Sequence, residues 1–352
     1  MSQLRTVQVL GGGAGSSAHV SPLVAGLVAR GVQVTVCAPA DSGRAHGLPA
    51  TGARFVTVPR CGDPAAVAAL RTACAGADIV HAHGLHAAVR AGIALSGRKT
   101  PLVVTWHTRP HAEGARGRLL RLLERKAARS AAVVLGTSGD LVERARRRGA
   151  RDARLAPAAI PASRVPGPPD DGKARAELGV VGRPLIVSVA QHGQDTLLGA
   201  AREWCGLDPA PLLAVTGEGP RAGALRRRIA AEGLPVVAGG PDGIGELLAA
   251  ADIAVLSGRG EGGPLLAREA LRHGVPLVAA RVDGLPELVG EAAELVPYGD
   301  VEALAGAVVG LLGDPGRRAR LADSGRAQAA GWPTEDDTVA HVLSVYDELA
   351  QP

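Results

Sequence analysis

Glu261 and Glu269 stand eight positions apart, around the start of a predicted helix, and their carboxylates suit the binding of paired hydroxyl groups. A carboxylate can accept two hydrogen bonds from one diol, and Glu269 lies about two helical turns beyond Glu261. Free backbone N–H groups at a helix start can bind phosphate, and proline is tolerated there. Between the two glutamates the sequence reads Gly262, Gly263, Pro264 and Leu265. The stretch therefore predicts a site for a sugar and a diphosphate, although two glutamates at this spacing are also common on ordinary exposed helices.

A second candidate is the glycine-rich loop Gly11–Gly15, between the first predicted strand and a predicted helix. Glycines let a backbone approach a ligand closely, and a helix start favours negative charge. Residues 13–18 also fit the G-x-G-x-x-A pattern of dinucleotide-binding proteins. Those proteins need an acidic residue at the end of the second strand, where this sequence has Cys37-Ala38-Pro39. NAD(P) binding is therefore the weaker interpretation of this loop.

Histidines mark the ends of two predicted strands in the first half. His81 and His83 are two positions apart, so their side chains share one face of a strand. Such a pair can bind a metal, but we favour hydrogen bonding in the core or towards an acceptor. His107 follows the strand Leu102–Thr105 and either takes part in chemistry or only ends the strand.

The elements that must position these residues form two similar halves. A chain of 352 residues is long enough for about two domains. Short β-branched runs alternate with helical stretches, the first of which is Val20–Arg30, and this alternation predicts parallel sheets. We expect a first Rossmann-like domain at 1–160, a proline-rich linker at 161–183, a second at 184–333, and a C-terminal helix at 334–352 that crosses back to the first. Ligands of such sheets bind beyond the carboxyl ends of the strands, so two facing domains would form a cleft.

Charge is distributed unevenly along the chain. Residues 1–165 carry 23 Lys and Arg against 8 Asp and Glu, whereas residues 166–352 carry 16 against 26. The first half therefore suits an anionic partner, unless the excess reflects only an arginine-rich composition. The predicted helix 114–129 combines leucines with six basic residues, which is typical of helices on anionic membranes and also of ordinary solvated helices. Arg144, Arg146, Arg147 and Arg148 add to the same charge.

Other sequence features exclude several classes of protein. Aromatic residues are only 2% of the chain, which disfavours nucleic-acid binding by stacking. No apolar run of about 18 residues is present, and the start of the chain predicts a strand rather than a signal peptide. The cysteines lack C-x-x-C spacing, so we expect buried thiols in a reducing compartment. They are Cys37, Cys61, Cys74 and Cys205.

Taken together, these stretches resemble the retaining family 4 glycosyltransferases, which have the GT-B fold. Glu261 to Glu269 resembles the family's E-x7-E motif, and the other matching blocks occur in family order over nearly the whole chain. In the second half they are 190–200, 215–220, 251–253, 269–271 with 274–276, and 283–287. In the first half they are Gly12-Gly13 with His19, 78–84 and 105–108.

The resemblance implies a role for each matching residue. Glu261 would bind the donor sugar, Glu269 the ribose, and the backbone of 262–265 the sugar and diphosphate. His107 would lie beside the reacting centre. Further donor-binding residues would be Gly12, Gly13, Gln191, His192 and Gly217, with His19 and His83 on the acceptor side. The implied reaction transfers a hexosyl or N-acetylhexosaminyl group from a nucleotide sugar with retention of configuration.

The resemblance also implies the setting of that reaction. No cofactor is expected, and because the chain lacks an Asp-x-Asp motif, nothing suggests a metal-held diphosphate. Similar proteins often act on lipid-linked acceptors, which would place this one in the cytoplasm, peripherally on the inner face of the membrane.

One block departs from the family pattern. The family has an Arg and then a Lys-Gly after the first strand of the second domain, and these cations neutralise the departing diphosphate. Here Gln191 stands in place of the Arg, and the loop with the Lys is missing. His192, Arg259 or Arg268 could supply the charge. The alternative is a catalytically silent binding protein with the same fold.

Overall fold

The structure, a computed structural model, comprises two compact units. One unit comprises Met1–Pro161 with Pro333–Pro352, and the other comprises Ala162–Trp332. The residues that the structure describes are 3–11, 14–40, 48–59, 64–109, 112, 114–157, 159, 175–176, 178–180, 182–189, 193–217, 220–238, 244–259 and 262–350. The predicted linker 161–183 lies largely outside them, as do Cys61, Gly12, Gly13, Gln191, His192 and Glu261.

Each unit contains one parallel sheet. The first sheet has the strand order β3-β2-β1-β4-β5-β6-β7, and the second has the order β10-β9-β8-β11-β12-β13. The first sheet comprises β1 (Arg5–Leu10), β2 (Gln33–Ala38), β3 (Arg54–Thr57), β4 (Ile79–His83), β5 (Leu102–Trp106), β6 (Val133–Gly136) and β7 (Ala153–Leu155). The second comprises β8 (Leu185–Val189), β9 (Leu212–Thr216), β10 (Val236–Ala238), β11 (Ile253–Leu256), β12 (Leu277–Ala280) and β13 (Ala293–Val296). The order reverses between β1 and β4 and again between β8 and β11, as in doubly wound folds.

Helices connect these strands and cover both faces of each sheet. In the first unit they are α1 (Ala14–Ala29), α2 (Pro64–Ala73), α3 (Leu85–Ala94), α4 (Gly114–Ser130) and α5 (Gly139–Arg147), with a short 3-10 helix at Leu48–Thr51. In the second they are α6 (Gln194–Trp204), α7 (Pro220–Glu232), α8 (Ile244–Ala249), α9 (Gly262–His273), α10 (Leu285–Val289), α11 (Val301–Gly313) and α12 (Pro315–Ala330). The last helix, α13 (Glu335–Ala350), belongs to the first unit.

The expected alternation of strands and helices is therefore observed, with two differences. Helix α1 begins at Ala14 and contains Pro22, whereas the sequence predicted a glycine loop to Gly15 and a helix from Val20. The burial of Leu23 and Leu27 against the sheet explains why the helix tolerates this proline. Strand β7 was not predicted, because its sequence Ala-Arg-Leu has neither the length nor the apolar pattern of a typical strand.

Helix α13 completes the core on one face of the first sheet. Val339, Val342, Val345 and Tyr346 are buried there with the apolar residues of α1. A Cβ atom at Gly26 would lie 2.5 Å from Cγ2 of Val339, so only glycine allows the two helices to approach this closely. Helix α13 is thus anchored on this face of the first sheet.

The cysteines are only partly as expected. Cys37 and Cys74 are buried, and burial raises the pKa of their thiols to about 12 and about 11. Cys205 is exposed, contrary to the prediction, because it follows the last turn of α6. Among the described residues, no helix is both long enough and apolar enough to cross a membrane.

Candidate functional site

In the second unit, the carboxyl ends of β8 and β11 lie side by side at the point where the strand order reverses. Gly193 precedes α6 with a left-handed backbone (φ 97°), and a Cβ atom there would lie 2.6 Å from the carbonyl oxygen of Ser257. The start of α6 therefore contacts the loop that leads from β11 to α9. Helix starts at the carboxyl edge of a parallel sheet, where the strand order reverses, suit the binding of anions.

Helix α9 carries the second glutamate of the predicted donor motif. Glu269 is fully buried, and Nη1 of Arg272 lies 2.8 Å from its Oε1. His273 Nε2 is 3.9 Å from the other oxygen. This pairing holds the Glu269 carboxylate in one orientation within the unit. Gly262 and Gly263 begin the helix, and the half-buried Pro264 and Leu265 follow in its first turn.

Gly217 follows β9, whose carboxyl end is at the same edge of the sheet as that of β8. Its φ of 138° belongs to a region that side chains rarely allow, so the chain can turn away from the strand here only with glycine. The structure therefore places Gly217 at the same edge of the sheet as the start of α6.

Two arginines near α9 lack full hydrogen bonding within the described residues. The Arg259 guanidinium lies 4.4 Å from the centre of the Tyr298 ring, and its Nε is buried without a partner. Arg268 lies 4.8 Å from the centre of the Trp332 ring, and its Nη1 is also buried without a partner. Burial, together with Arg272, lowers the pKa of Arg268 to about 10. Of the two, Arg259 lies in the loop that leads directly to the start of α9.

In the first unit, a chain of buried polar side chains crosses the sheet. Gln8, His81 and His83 lie on the face that α13 covers. His83 Nε2 is 2.9 Å from Gln8 Oε1, and Gln8 Nε2 is 3.0 Å from the hydroxyl of Tyr346. That hydroxyl is 2.7 Å from His81 Nδ1, and His81 Nε2 is 2.6 Å from Thr105 Oγ1. Hydrogen bonds thus link three strands to the C-terminal helix.

His107 extends this chain beyond the end of β5. Its Nε2 lies 3.4 Å from His83 Nδ1, and its ring centre is 5.2 Å from that of His19 on α1. Thr137 Oγ1 donates to the backbone oxygen of His107 at 3.3 Å and thereby holds the loop. Burial, with further contributions from His19 and His81, holds the pKa of His107 well below its usual value.

His81 and His83, the other two histidines of this buried series, also have lowered pKa values. Burial lowers the pKa of His81 to about 3, and burial with neighbouring rings lowers the pKa of His83 well below its usual value. Within the described ranges, no group of three or more His, Cys, Asp or Glu side chains could hold a metal ion. The ring nitrogens of His81 and His83 instead have hydrogen-bonding neighbours.

The structure brings His19, His83 and His107 together, as candidates for one site, and adds two residues that sequence reasoning missed. Gln8 is a polar residue inside an apolar strand, and that was the available signal. Tyr346 is separated from Gln8 by 338 positions, so nothing local could indicate their contact. A cavity of about 200 Å³ adjoins His19 and Thr105 and is also lined by Asp337 and His341 of α13.

Helix α4 presents leucines to solvent among its basic residues. Leu119 is 56% exposed and Leu122 is 58% exposed, whereas the helix packs inward through Gly117, Ala127 and Ala128. The exposed basic side chains of this helix are Arg116, Arg118, Arg121, Arg125, Lys126 and Arg129. The surface of α4 therefore combines apolar and cationic groups.

Of the four arginines at α5 and its end that add to the positive charge of the first half, two are not exposed. Arg144 and Arg148 both bind the buried carboxylate of Glu124, with Nε–oxygen distances of 2.8 Å and 2.7 Å. The two guanidinium groups thus share one carboxylate inside the unit. Arg146 and Arg147 remain exposed, and Arg146 pairs with Glu143.

Solved structures with the same fold are numerous, and their identities to this chain are low. HepE from Anabaena, in complex with UDP and glucose, has a TM-score of 0.80 at 22% identity, over 97% of this chain and 99% of its own. Sucrose-phosphate synthase from Thermosynechococcus elongatus has a TM-score of 0.76 at 19% identity, over 98% and 99%. A putative UDP-N-acetylglucosamine 2-epimerase from Listeria monocytogenes has a TM-score of 0.70 at 14% identity, over 99% and 98%. These likenesses establish the GT-B fold, with its two Rossmann-like domains, and not the reaction.

Family profiles match both halves of the sequence. The profile of the glycosyl transferase 4-like domain matches residues 14–160, and that of the glycosyl transferases group 1 matches residues 175–314. No curated protein matches the sequence. Because the two profiles occur in order on two doubly wound units, the chain belongs to the group 1, family 4 type of GT-B glycosyltransferases.

Proposed function

We propose that this glycosyltransferase moves a hexosyl or N-acetylhexosaminyl group from a nucleotide sugar to a lipid-linked acceptor, with retention of configuration and without a metal ion. The observation that carries the proposal is the reversal of strand order between β8 and β11, where the start of α6 contacts the loop that leads to α9, the helix that holds the buried Glu269. Backbone N–H groups there suit a diphosphate, and a carboxylate suits a ribose diol. HepE, which shares the fold, binds UDP and glucose, and this supports a nucleotide-sugar donor.

Arg259 is the cation that we assign to the diphosphate. The sequence lacks the family's Arg and Lys, and a donor that stabilises developing negative charge is worth about 3–4 kcal/mol of activation free energy. Arg259 precedes the start of α9, and its Nε has no partner among the described residues. Its stacking on Tyr298 would restrict the side chain before a ligand arrives. This charge supports transfer over the catalytically silent alternative.

Transfer assays with a panel of UDP and GDP sugars test this function. We expect turnover by the unmodified protein, no effect of EDTA, and a loss of about 10²-fold or more in kcat/KM for Glu261→Gln and Glu269→Gln, because each loses a charged contact to donor hydroxyls. Glu203→Gln is the matched control, since Glu203 is exposed on the second unit. Proton NMR of the product reports its anomeric configuration.

A different experimental result would contradict each part of the proposed function. Nucleotide binding measured by calorimetry without any hydrolysis or transfer would establish the silent binding protein instead. No binding of any nucleotide sugar, or an inverted product, would contradict the donor site or the retaining reaction. The variant Glu269→Gln also weakens the ion pair with Arg272 within α9. Thermal unfolding of this variant therefore shows whether a loss of activity comes from a lost donor contact or from a destabilised helix.

The proposal that the acceptor is linked to a membrane lipid rests on helix α4. Exposed leucines insert into the headgroup region while surrounding arginines contact anionic lipid, and we propose that α4 holds the protein on the cytoplasmic face of the membrane in this way. The near absence of aromatic residues disfavours nucleic acid as the anionic partner.

Vesicle co-sedimentation tests this contact. We expect binding to phosphatidylcholine vesicles that contain phosphatidylglycerol, weaker binding to pure phosphatidylcholine, and a loss of about tenfold in Leu119→Ser/Leu122→Ser, because two exposed apolar side chains that would enter the headgroup region are removed. Val309→Ser, which changes an exposed apolar residue of the other unit, is the control. Equal binding to neutral and anionic vesicles would refute the idea.

A further inference from the structure

The buried polar chain of the first unit runs without a break from Thr105, through Tyr346 of the C-terminal helix, to His107. Its order is Thr105, His81, Tyr346, Gln8, His83 and His107, and its four inner contacts are 2.6 to 3.0 Å long. The contact between His83 and His107 is longer, at 3.4 Å. Contacts of catalytic groups are often long before a ligand binds and shorten in the complex.

The orientation of the Gln8 amide in this structure sets the direction of every bond. The Oε1 of Gln8 can only accept, so His83 Nε2 must donate to it, and the Gln8 amide nitrogen must donate to Tyr346. The Tyr346 hydroxyl accepts that bond and has its own proton left for His81 Nδ1. His81 is then protonated on Nε2 and donates to Thr105.

The same logic reaches His107 at the other end. A neutral imidazole has one donor and one acceptor, so His83, which donates through Nε2, accepts through Nδ1. The nitrogen that faces it is Nε2 of His107, which must carry a proton. Nδ1 of His107 is then left as an acceptor.

Burial requires every donor in this chain to face an acceptor. The side chains of Gln8, His81, His83 and Tyr346 are fully buried, and a buried polar group without its partner costs about 1–3 kcal/mol. The histidines cannot escape this constraint by taking up a proton, because burial holds the pKa of His81 and of His83 far below neutrality. Reversing any one bond alone would therefore leave a donor facing a donor or an acceptor facing an acceptor, and only turning the Gln8 amide over would reverse the whole chain together.

We propose that Tyr346 and Gln8 are positioning residues that hold His107 in its neutral, Nε2-protonated form, with Nδ1 free to accept a hydrogen bond from a substrate hydroxyl. Packing of α13 against α1 places Tyr346 at the centre of the chain, so the end of the polypeptide contributes to the chemistry at the end of β5. The proposal rests on the proposed function only in assigning a substrate to His107.

Nitrogen-15 NMR of histidine-labelled protein tests the proposal without a substrate. Long-range proton–nitrogen spectra distinguish the two neutral forms of each ring. In the unmodified protein we expect His81, His83 and His107 to be protonated on Nε2 from about pH 8 to pH 5. A His107 ring that is protonated on Nδ1, or doubly protonated at neutral pH, would overturn the proposal.

The variant Tyr346→Phe tests the role of the hydroxyl. It removes one acceptor and one donor, so we expect His107 to show a mixture of both neutral forms, and kcat to fall about tenfold with the donor KM unchanged. Ser344→Ala removes an exposed hydroxyl from the same helix and is expected to change neither. An unchanged His107 spectrum in Tyr346→Phe would refute the positioning role. Absence of transfer by the unmodified protein would refute the proposed function alone, because the NMR result does not depend on turnover.

Discussion

Acidification from pH 7 to pH 4 is expected to destabilise the first unit far more steeply than the second. The unfolded chain binds protons at His81, His83 and His107 below about pH 6.5, whereas the folded cluster excludes them. Burial lowers the pKa of His81 to about 3 and the pKa of the other two well below the usual value. The free energy of unfolding therefore falls as the pH drops below about 6.5, by about 1.4 kcal/mol per pH unit for each histidine.

Urea unfolding at several pH values, with hydrogen exchange read separately for peptides of the two units, measures this slope. The variant His81→Asn should reduce the slope of the first unit by about one third, since it removes one of three protonatable rings. His86→Gln, which changes an exposed histidine on α3, should leave it unchanged. Equal slopes for the unmodified protein and His81→Asn would show that the cluster accepts protons in the folded state.

The variant Glu124→Gln is expected to lower the free energy of unfolding of the first unit by about 3–5 kcal/mol. Its carboxylate is only 2% exposed, and the side chains of Arg144 and Arg148 that bind it are 12% and 17% exposed. An amide of the same size keeps one acceptor but removes the charge, so two largely buried guanidinium groups lose their counterion. Urea unfolding of the variant gives the loss directly.

Glu143→Gln is the matched control for that experiment. Glu143 pairs with Arg146 at 2.5 Å, but both side chains are more than half exposed. Exposed pairs contribute about 0–1 kcal/mol, so this variant should be nearly neutral. A similar loss in both variants would mean that burial does not govern the strength of these ion pairs. A further variant that replaces all three buried residues with leucine or methionine should recover most of the stability, because no charge is then left unpaired.

Both predictions concern residues that support the candidate site. The histidine cluster lies at the end of β4 and β5, and the Glu124 pairs join α4, the proposed membrane helix, to α5. The stability of this unit and its proposed chemistry thus depend on overlapping side chains. Variants near the histidines therefore need both an unfolding measurement and an activity measurement.

The sequence by itself determined the architecture and the neighbourhood of the donor motif. Apolar runs of strand length alternate with helical patterns, and this local signal survives in the structure because each run is buried in a parallel sheet. Glu269 could be placed on a helix after β11 for the same reason. The three-residue strand β7 and the early start of α1 could not, because pairing with a neighbouring strand and packing on the sheet override weak local preferences.

Only the tertiary structure decided which polar residues meet. In the sequence, Arg144 and Arg148 count only towards the positive charge of the first half, but in the structure they pair with the buried Glu124. Gln8 and Tyr346 lie at opposite ends of the chain, and their contact depends on α13 packing beside β1. Hydrogen bonds and ion pairs require distances of about 3 Å, and such distances between remote residues follow from the packing of whole elements rather than from local patterns.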